Sequence, residues 1–155
     1  MSRAFFIGPD EGRLLDMGTF EAVVLASRED TDGEFTLLRA QKEPMGFGPP
    51  LHIHEDAAEA FYILEGEYRM FVEDREQVCG PGTFVYVPRG MPHTFQVVSE
   101  QPGVKLNLFT PAAMIGFFEE LSSAKGAFTT TPDLLERIAA RHNMTVVGPV
   151  PDTYL

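Results

Sequence analysis

Gly46-Phe-Gly-Pro-Pro-Leu-His-Ile-His-Glu-Asp-Ala-Ala-Glu-Ala-Phe-Tyr-Ile-Leu-Glu-Gly66 contains two of the chain's four histidines, His52 and His54, one residue apart. Residues two apart on a β-strand project to one face, so both imidazoles aim the same way. Glu59 follows five residues after His54, an odd offset. It joins the same face only if residues 55–58 form a turn that resets the alternation, which Glu-Asp-Ala-Ala allows without requiring it. From Glu59 onward, Phe61 and Ile63 share the carboxylate's face, while Tyr62 and Leu64 take the other. A third histidine, His93, follows Pro92 in a later segment. Three imidazoles and one carboxylate form a ligand set suited to one divalent transition metal per chain, and Fe, Mn, Ni, Co and Zn all accept it. Glu55 and Asp56 read as a solvated turn, with either as the alternative carboxylate ligand to Glu59.

Working outward, 14 glycines and 12 prolines punctuate short segments rich in Val, Phe, Tyr, Leu and Thr. This is the texture of many short strands joined by turns, hence an all-β sandwich or barrel. Strands are expected over residues 19–27, 34–41, 58–64, 67–73, 83–87, 93–98 and 104–109. Turns are expected at Asp32-Gly33, Glu65-Gly66, Gly80-Pro81-Gly82 and Pro102-Gly103. The inward positions predict an apolar cavity beside the histidines, lined by Phe61, Ile63, Phe84 or Val85, Phe95, and Leu106 or Leu108. The nearest motif cation is Arg89, in a turn.

After Thr110 the period changes. Thr110 reads as a helix cap and Pro111 as a first helical position, with Met114, Phe117, Phe118 and Leu121 as the apolar stripe. A second helix begins near Thr131-Pro132-Asp133, with the stripe Leu134, Leu135, Ile138 and Ala139; residues 122–130 read as a linker and the tail from Gly148 as extended. Both faces of the 58–64 strand are apolar, so its outer face needs a cover. The C-terminal helices or a second subunit would supply it, and the second option predicts a homodimer. His142 reads as a surface residue near a helix end and Cys79 as a buried, idle thiol.

The 155 residues suit one domain, spanning 1–155 with a core at about 34–110 and a helical extension at about 111–145. Hydrophobic residues at 44% are enough for a core. With 12 Lys and Arg against 23 Asp and Glu, the formal charge is -11, which repels phosphate backbones and anionic headgroups; no nucleic-acid or membrane partner is expected. One cysteine excludes an internal disulfide, no apolar run spans a bilayer, and the start lacks a signal-peptide pattern, so a cytoplasmic location is expected.

The spacing Gly46, His52, His54, Glu59, Gly66 resembles in full the first motif of the cupin superfamily, and Gly82, Pro88, Gly90, His93 the second, with Val97 where the family often has Asn. The resemblance covers residues 34–110. It implies a double-stranded β-helix, or jelly-roll barrel, holding a metal on His52, His54, Glu59 and His93. Segments such as Phe61-Tyr-Ile-Leu-Glu-Gly66, Phe84-Val-Tyr-Val-Pro-Arg-Gly90 and Phe109-Thr-Pro resemble the single-domain, quercetinase-like bacterial cupins. That group implies a dioxygenase acting on a flavonol-like or other aromatic or enediol substrate with O2, with Glu59 as both ligand and catalytic proton acceptor. A non-catalytic metal or small-molecule binding module, and an isomerase or lyase using the ion as a Lewis acid, are the alternatives.

Overall fold

Short strands bounded by Gly, Pro and Asp turns pair antiparallel into two sheets. The computed structural model describes residues 2–124 and 132–149. In chain order the strands are β1 (Arg13–Asp16), β2 (Glu21–Ala26), β3 (Thr36–Glu43), β4 (Leu51–His54), β5 (Ala58–Glu65), β6 (Tyr68–Val72), β7 (Arg75–Cys79), β8 (Phe84–Val87), β9 (His93–Val97) and β10 (Gly103–Thr110). Helices α1 (Ile115–Ser123) and α2 (Pro132–Arg141) follow, and β11 (Met144–Gly148) comes last. One sheet has the order β1-β2-β3-β10-β5-β8 and the other β11-β4-β9-β6-β7. Together they form the jelly-roll barrel, with two short helices after it.

Alternation sets the interior. Thr36, Leu38 and Ala40 of β3 are buried, as are Lys105, Asn107 and Phe109 of β10 and Glu59, Phe61 and Ile63 of β5. The core divides in two. One cluster joins β1–β3 to the helices through Met17, Phe20, Leu38, Phe117, Leu121 and Ile138. The other joins β5, β6, β8 and β9 through Phe61, Ile63, Tyr68, Val87, Phe95 and Val97. Phe47 packs against both. At the β5–β6 hairpin Gly66 has φ 75° and its α-carbon hydrogens face Gly103, where an added Cβ would sit 3.0 Å from the Gly103 Cα.

Several expectations change here. The chain does not enter a helix at Pro111: the backbone N–H of Ala112 donates to Gly33 O, and the carbonyl of Ala113 accepts from Thr36 Oγ1. These groups tie residues 111–114 to the end of β3, and α1 starts only after Met114. Strands β1, β4, β7 and β11 lie outside the expected ranges, although the alternation of His52 and His54 already implied β4. β7 is exposed along most of its length and shows no apolar alternation; it pairs with β6 by register, Phe71 facing Glu76. β11 closes the edge of β4, with Met144 opposite His54 and Val146 opposite His52. Neither described helix covers the outer face of β5, because α1 turns Phe117, Phe118 and Leu121 into the first cluster. Tyr62 and Leu64 remain exposed. Ser122 and Ser123 belong to α1 rather than to the linker, and the expected cap Thr131, the rest of that linker and the tail beyond residue 149 lie outside the described residues.

Candidate metal centre and its cavity

His52 and His54 reach the interior from alternate positions of β4, and His52 stands opposite His93 of β9 in the ladder. Glu59 arrives from β5 after the turn at Glu55-Asp56, so the parity is reset, an outcome that Glu-Asp-Ala-Ala allowed without requiring. The four side chains are each at most 5% exposed, and one ligand atom from each lies within 4.8 Å of the others. Two ligands at ~2.1 Å on opposite sides of one ion stand ~4.2 Å apart, so only small adjustments bring all four onto a common centre. Glu55 and Asp56 are exposed, and accept instead from Thr145 and Asn143.

The hydrogen bonds settle the imidazole tautomers. His52 Nδ1 lies 2.8 Å from Pro50 O and His93 Nδ1 2.9 Å from Met91 O. A carbonyl only accepts, so each Nδ1 carries the proton and Nε2 keeps the lone pair. In its neutral form His93 therefore turns that lone pair toward Glu59 Oε2, 2.9 Å away, and His54 Nε2 stands 2.9 Å from the same oxygen. Atoms held this close share either protons on the imidazoles or one cation, and the residues fit a metal ion. Burial alone raises the Glu59 carboxyl, but with protonated imidazoles beside it the charges and hydrogen bonds of His54 and His93 outweigh burial and hold the group well below the ordinary carboxylate range. Burial, then His93 and His54, push His52 well below the usual imidazole value, which keeps it neutral and able to ligate.

The cluster opens on a cavity of about 50 Å³ between the two core clusters, walled by Phe20, Phe61, Phe95, Phe109, Met114 and Met144. At roughly 10–15 Å³ each, it holds about three to five waters. Phe61 and Phe95 line it as expected. Ile63 is fully buried but packs in the second cluster, Val85 packs there too, and Phe84 is exposed. Leu106 and Leu108 do not face the cavity. Their β5 partners in the ladder are Tyr62 and Ala60, whereas Lys105, Asn107 and Phe109 stand opposite Ile63, Phe61 and Glu59. Residues paired across a ladder share a face, so the register reverses an assignment based on hydrophobicity alone.

This reversal brings in polar residues that sequence reading missed. Asn107 Nδ2 donates to Glu59 Oε1 at 3.0 Å. Lys105 and Glu43, each 1% exposed, form an ion pair with Nζ at 2.7 and 2.9 Å from the two carboxylate oxygens. Tyr68 donates its hydroxyl to Glu43, and Lys105 Nζ sits 4.1 Å over the Phe95 ring. The cation beside the cavity is thus Lys105 rather than the exposed Arg89. The signal was the counterpart of Glu59 across the ladder: once Phe109 is placed opposite it, Asn107 and Lys105 follow at intervals of two. His142 packs on Gly116 and Glu120, away from the cluster, and Cys79 is buried, its thiol raised by burial.

Comparison with known proteins places these features in context. Residues 40–109 match the family model described as Cupin domain. A quercetin 2,3-dioxygenase of Bacillus subtilis (strain 168) is 30% identical over 98 residues, which are 63% of this chain and 28% of that relative. The chain therefore aligns with less than a third of the dioxygenase. Among solved structures, KdgF from Halomonas sp. superposes with a TM-score of 0.62 at 16% identity, covering 70% of this chain and 94% of its own. Ectoine synthase from P. lautus gives 0.59 at 17% identity, covering 93% and 88%. At these identities the structural likeness speaks for the fold. No helix among the described residues is long and apolar enough to cross a membrane.

Proposed function

We propose that the chain is a metal-dependent dioxygenase of the quercetinase type, because residues 40–109 match the cupin family model and the barrel turns a three-histidine, one-glutamate cluster toward an aromatic cavity. The observation that carries this reading is the buried cluster itself, joined to the likeness to a quercetin dioxygenase. His52, His54, Glu59 and His93 would hold one divalent transition metal. When bound, such an ion supplies Lewis acidity and, for a redox-active metal, a route for O2 to react with an electron-rich substrate. The chain supplies the rest. Glu59 lines the cavity, so its carboxylate is placed to take a proton from a substrate hydroxyl. The aromatic wall excludes water and suits an apolar or aromatic substrate. At about 50 Å³ the cavity is smaller than the ~150 Å³ that takes a benzene ring, so a single-ring enediol enters only if Met114 and Met144, the flexible wall residues, yield, and a three-ring flavonol needs a larger opening still.

The test is metal analysis of protein purified without chelator, followed by oxygen-electrode assays with flavonols and smaller enediols. We expect one metal per chain and substrate-dependent oxygen uptake. Glu59→Gln should retain most of the metal and lose turnover by roughly 100-fold, the scale of a lost general base. Undiminished uptake in that variant would leave Glu59 as a ligand only. A second reading, a Lewis-acid isomerase or lyase, draws on the same small cavity; turnover under argon would favour it, and neither turnover nor uptake would favour a binding module.

A homodimer forms part of the proposal. The outer face of β5 and β8 exposes Tyr62, Leu64, Phe84 and Tyr86, with Tyr62 directly opposite Phe84, and β8 is the edge of its sheet. Among the described residues neither helix covers this face, and an exposed aromatic edge of this kind suits a second copy of the chain.

A further inference from the structure

Asn107 is 5% exposed and faces the cavity. Only its amide N–H can meet a carboxylate oxygen, so donation to Glu59 Oε1 directs Oδ1 away from Glu59. That Oδ1 is enclosed and has no hydrogen-bond partner among the described residues, and a buried acceptor left without one is costly. Asn107 thus brings an unpartnered acceptor to the wall, one side chain away from the proposed base. The nearby cation is already engaged: both oxygens of Glu43 bind Lys105 Nζ, and the Phe95 ring lies against it. Among the described lining residues no other lysine or arginine faces the cavity. A carboxylate or phosphate entering here would find no uncommitted positive side chain apart from the cluster histidines, whereas a neutral hydroxyl finds a waiting acceptor.

We propose that Asn107 is a substrate-binding residue, accepting through Oδ1 a hydrogen bond from a second hydroxyl next to the one that Glu59 addresses, and so selecting neutral vicinal diols of the enediol or catechol class. This deepens the proposed function and rests on it for the role of the first hydroxyl. Asn107 does two things at once: its N–H orients Glu59, and its oxygen reads the neighbouring position of the ligand.

The probes are catechol and 2-fluorophenol, close in size, of which only catechol has the second donor. Zinc-loaded protein is titrated with each by calorimetry under argon, so that no turnover interferes. The preference for catechol over 2-fluorophenol is expected to fall by about 10-fold in Asn107→Leu, the scale of one neutral hydrogen bond whose donor, the second catechol hydroxyl, is left without its acceptor. Any chelation of the metal by catechol is present in both proteins and cancels in the ratio. If Asn107 served only to hold Glu59, both probes would weaken by the same factor and the ratio would stand; that result overturns the inference. Failure of the wild-type protein to bind catechol overturns it as well. Should Asn107→Leu not fold, Asn107→Ala provides the same comparison. Oxygen uptake with catechol by iron-loaded wild-type protein is scored separately: its absence counts against the dioxygenase reading, while the affinity ratio alone decides the role of Asn107.

Discussion

Tyr68 is completely buried, with its hydroxyl on Glu43, and Glu43 is in turn held by Lys105. Burial first, and then the negative charge of Glu43, push the phenol far above its ordinary value of 10.0. The folded protein therefore keeps this proton at pH values where the unfolded chain has lost it. The corresponding stability is fully present below pH 10 and is lost as pH rises further, by about 1.4 kcal/mol per pH unit for one proton. Tyr68→Phe should cost about 1.5–3 kcal/mol at neutral pH, because it removes a hydrogen bond to a charged group. It should also flatten the alkaline limb by one proton equivalent, as read by urea unfolding between pH 8 and 11. An identical alkaline slope in both proteins would show that the phenol does not carry this dependence. In the sequence Tyr68 reads only as a strand aromatic, since its partners Glu43 and Lys105 lie 25 and 37 residues away in the chain and meet it only across the barrel.

At the scale of elements, the segment before β4 is bound to β9. Gly46 N–H donates to Val97 O at 2.8 Å and Val97 N–H to Phe47 O at 2.9 Å. Gly48 lies against this strand so closely that an added Cβ would stand 1.9 Å from the carbonyl oxygen of Phe95. A backbone carbonyl cannot swing aside as a flexible side chain does, so Gly48→Ala must push β4 from β9, the two strands that pair His52 with His93. We expect a loss of about 3 kcal/mol in chemical unfolding, the upper range of overpacking. Gly80→Ala, where a Cβ meets nothing within 4 Å, should show no loss. Equal stability of the two variants would contradict the close approach. The shared face of His52 and His54 was legible from two-residue periodicity, whereas the turn that brings in Glu59 was only allowed by Glu-Asp-Ala-Ala and was decided by the pairing of β5. β7 was not legible, because its exposed Arg75-Glu-Gln-Val sequence has no apolar alternation and only its pairing with β6 makes it a strand.

For the whole molecule, the exposed aromatics of β5 and β8 predict association. Light scattering at tens of micromolar should give twice the mass of one chain, and Phe84→Asp with Tyr86→Asp should give a single chain's mass without loss of fold, since both side chains are more than half exposed. A formal charge of -11 on each copy opposes association at long range, so added salt should favour the dimer. A wild-type protein of one chain's mass under these conditions would reject the dimer. The same consideration bears on the C-terminal helices. Their apolar stripes were legible as packing surfaces, but the site of packing depended on the tie from Ala112 and Ala113 to Gly33 and Thr36, which sends α1 toward β1–β3 and away from β5.

By itself the sequence determined an all-β sandwich or barrel and the helical character of the two segments after Thr110, because these follow from local periodicity and from glycine and proline turns; the jelly roll and the set His52, His54, Glu59 and His93 came from the resemblance to the cupins. Only the tertiary structure decided which face of β10 is inside. Along Val104-Lys-Leu-Asn-Leu-Phe109 the apolar leucines argue for one face, and the register against Glu59 imposes the other. A strand's own residues state a preference worth a few kcal/mol, whereas a ladder of hydrogen bonds to a neighbour sets all of its side chains together. That is why Lys105 and Asn107 entered the interior, and why their satisfaction there depends on Glu43 and Glu59, which come from other strands.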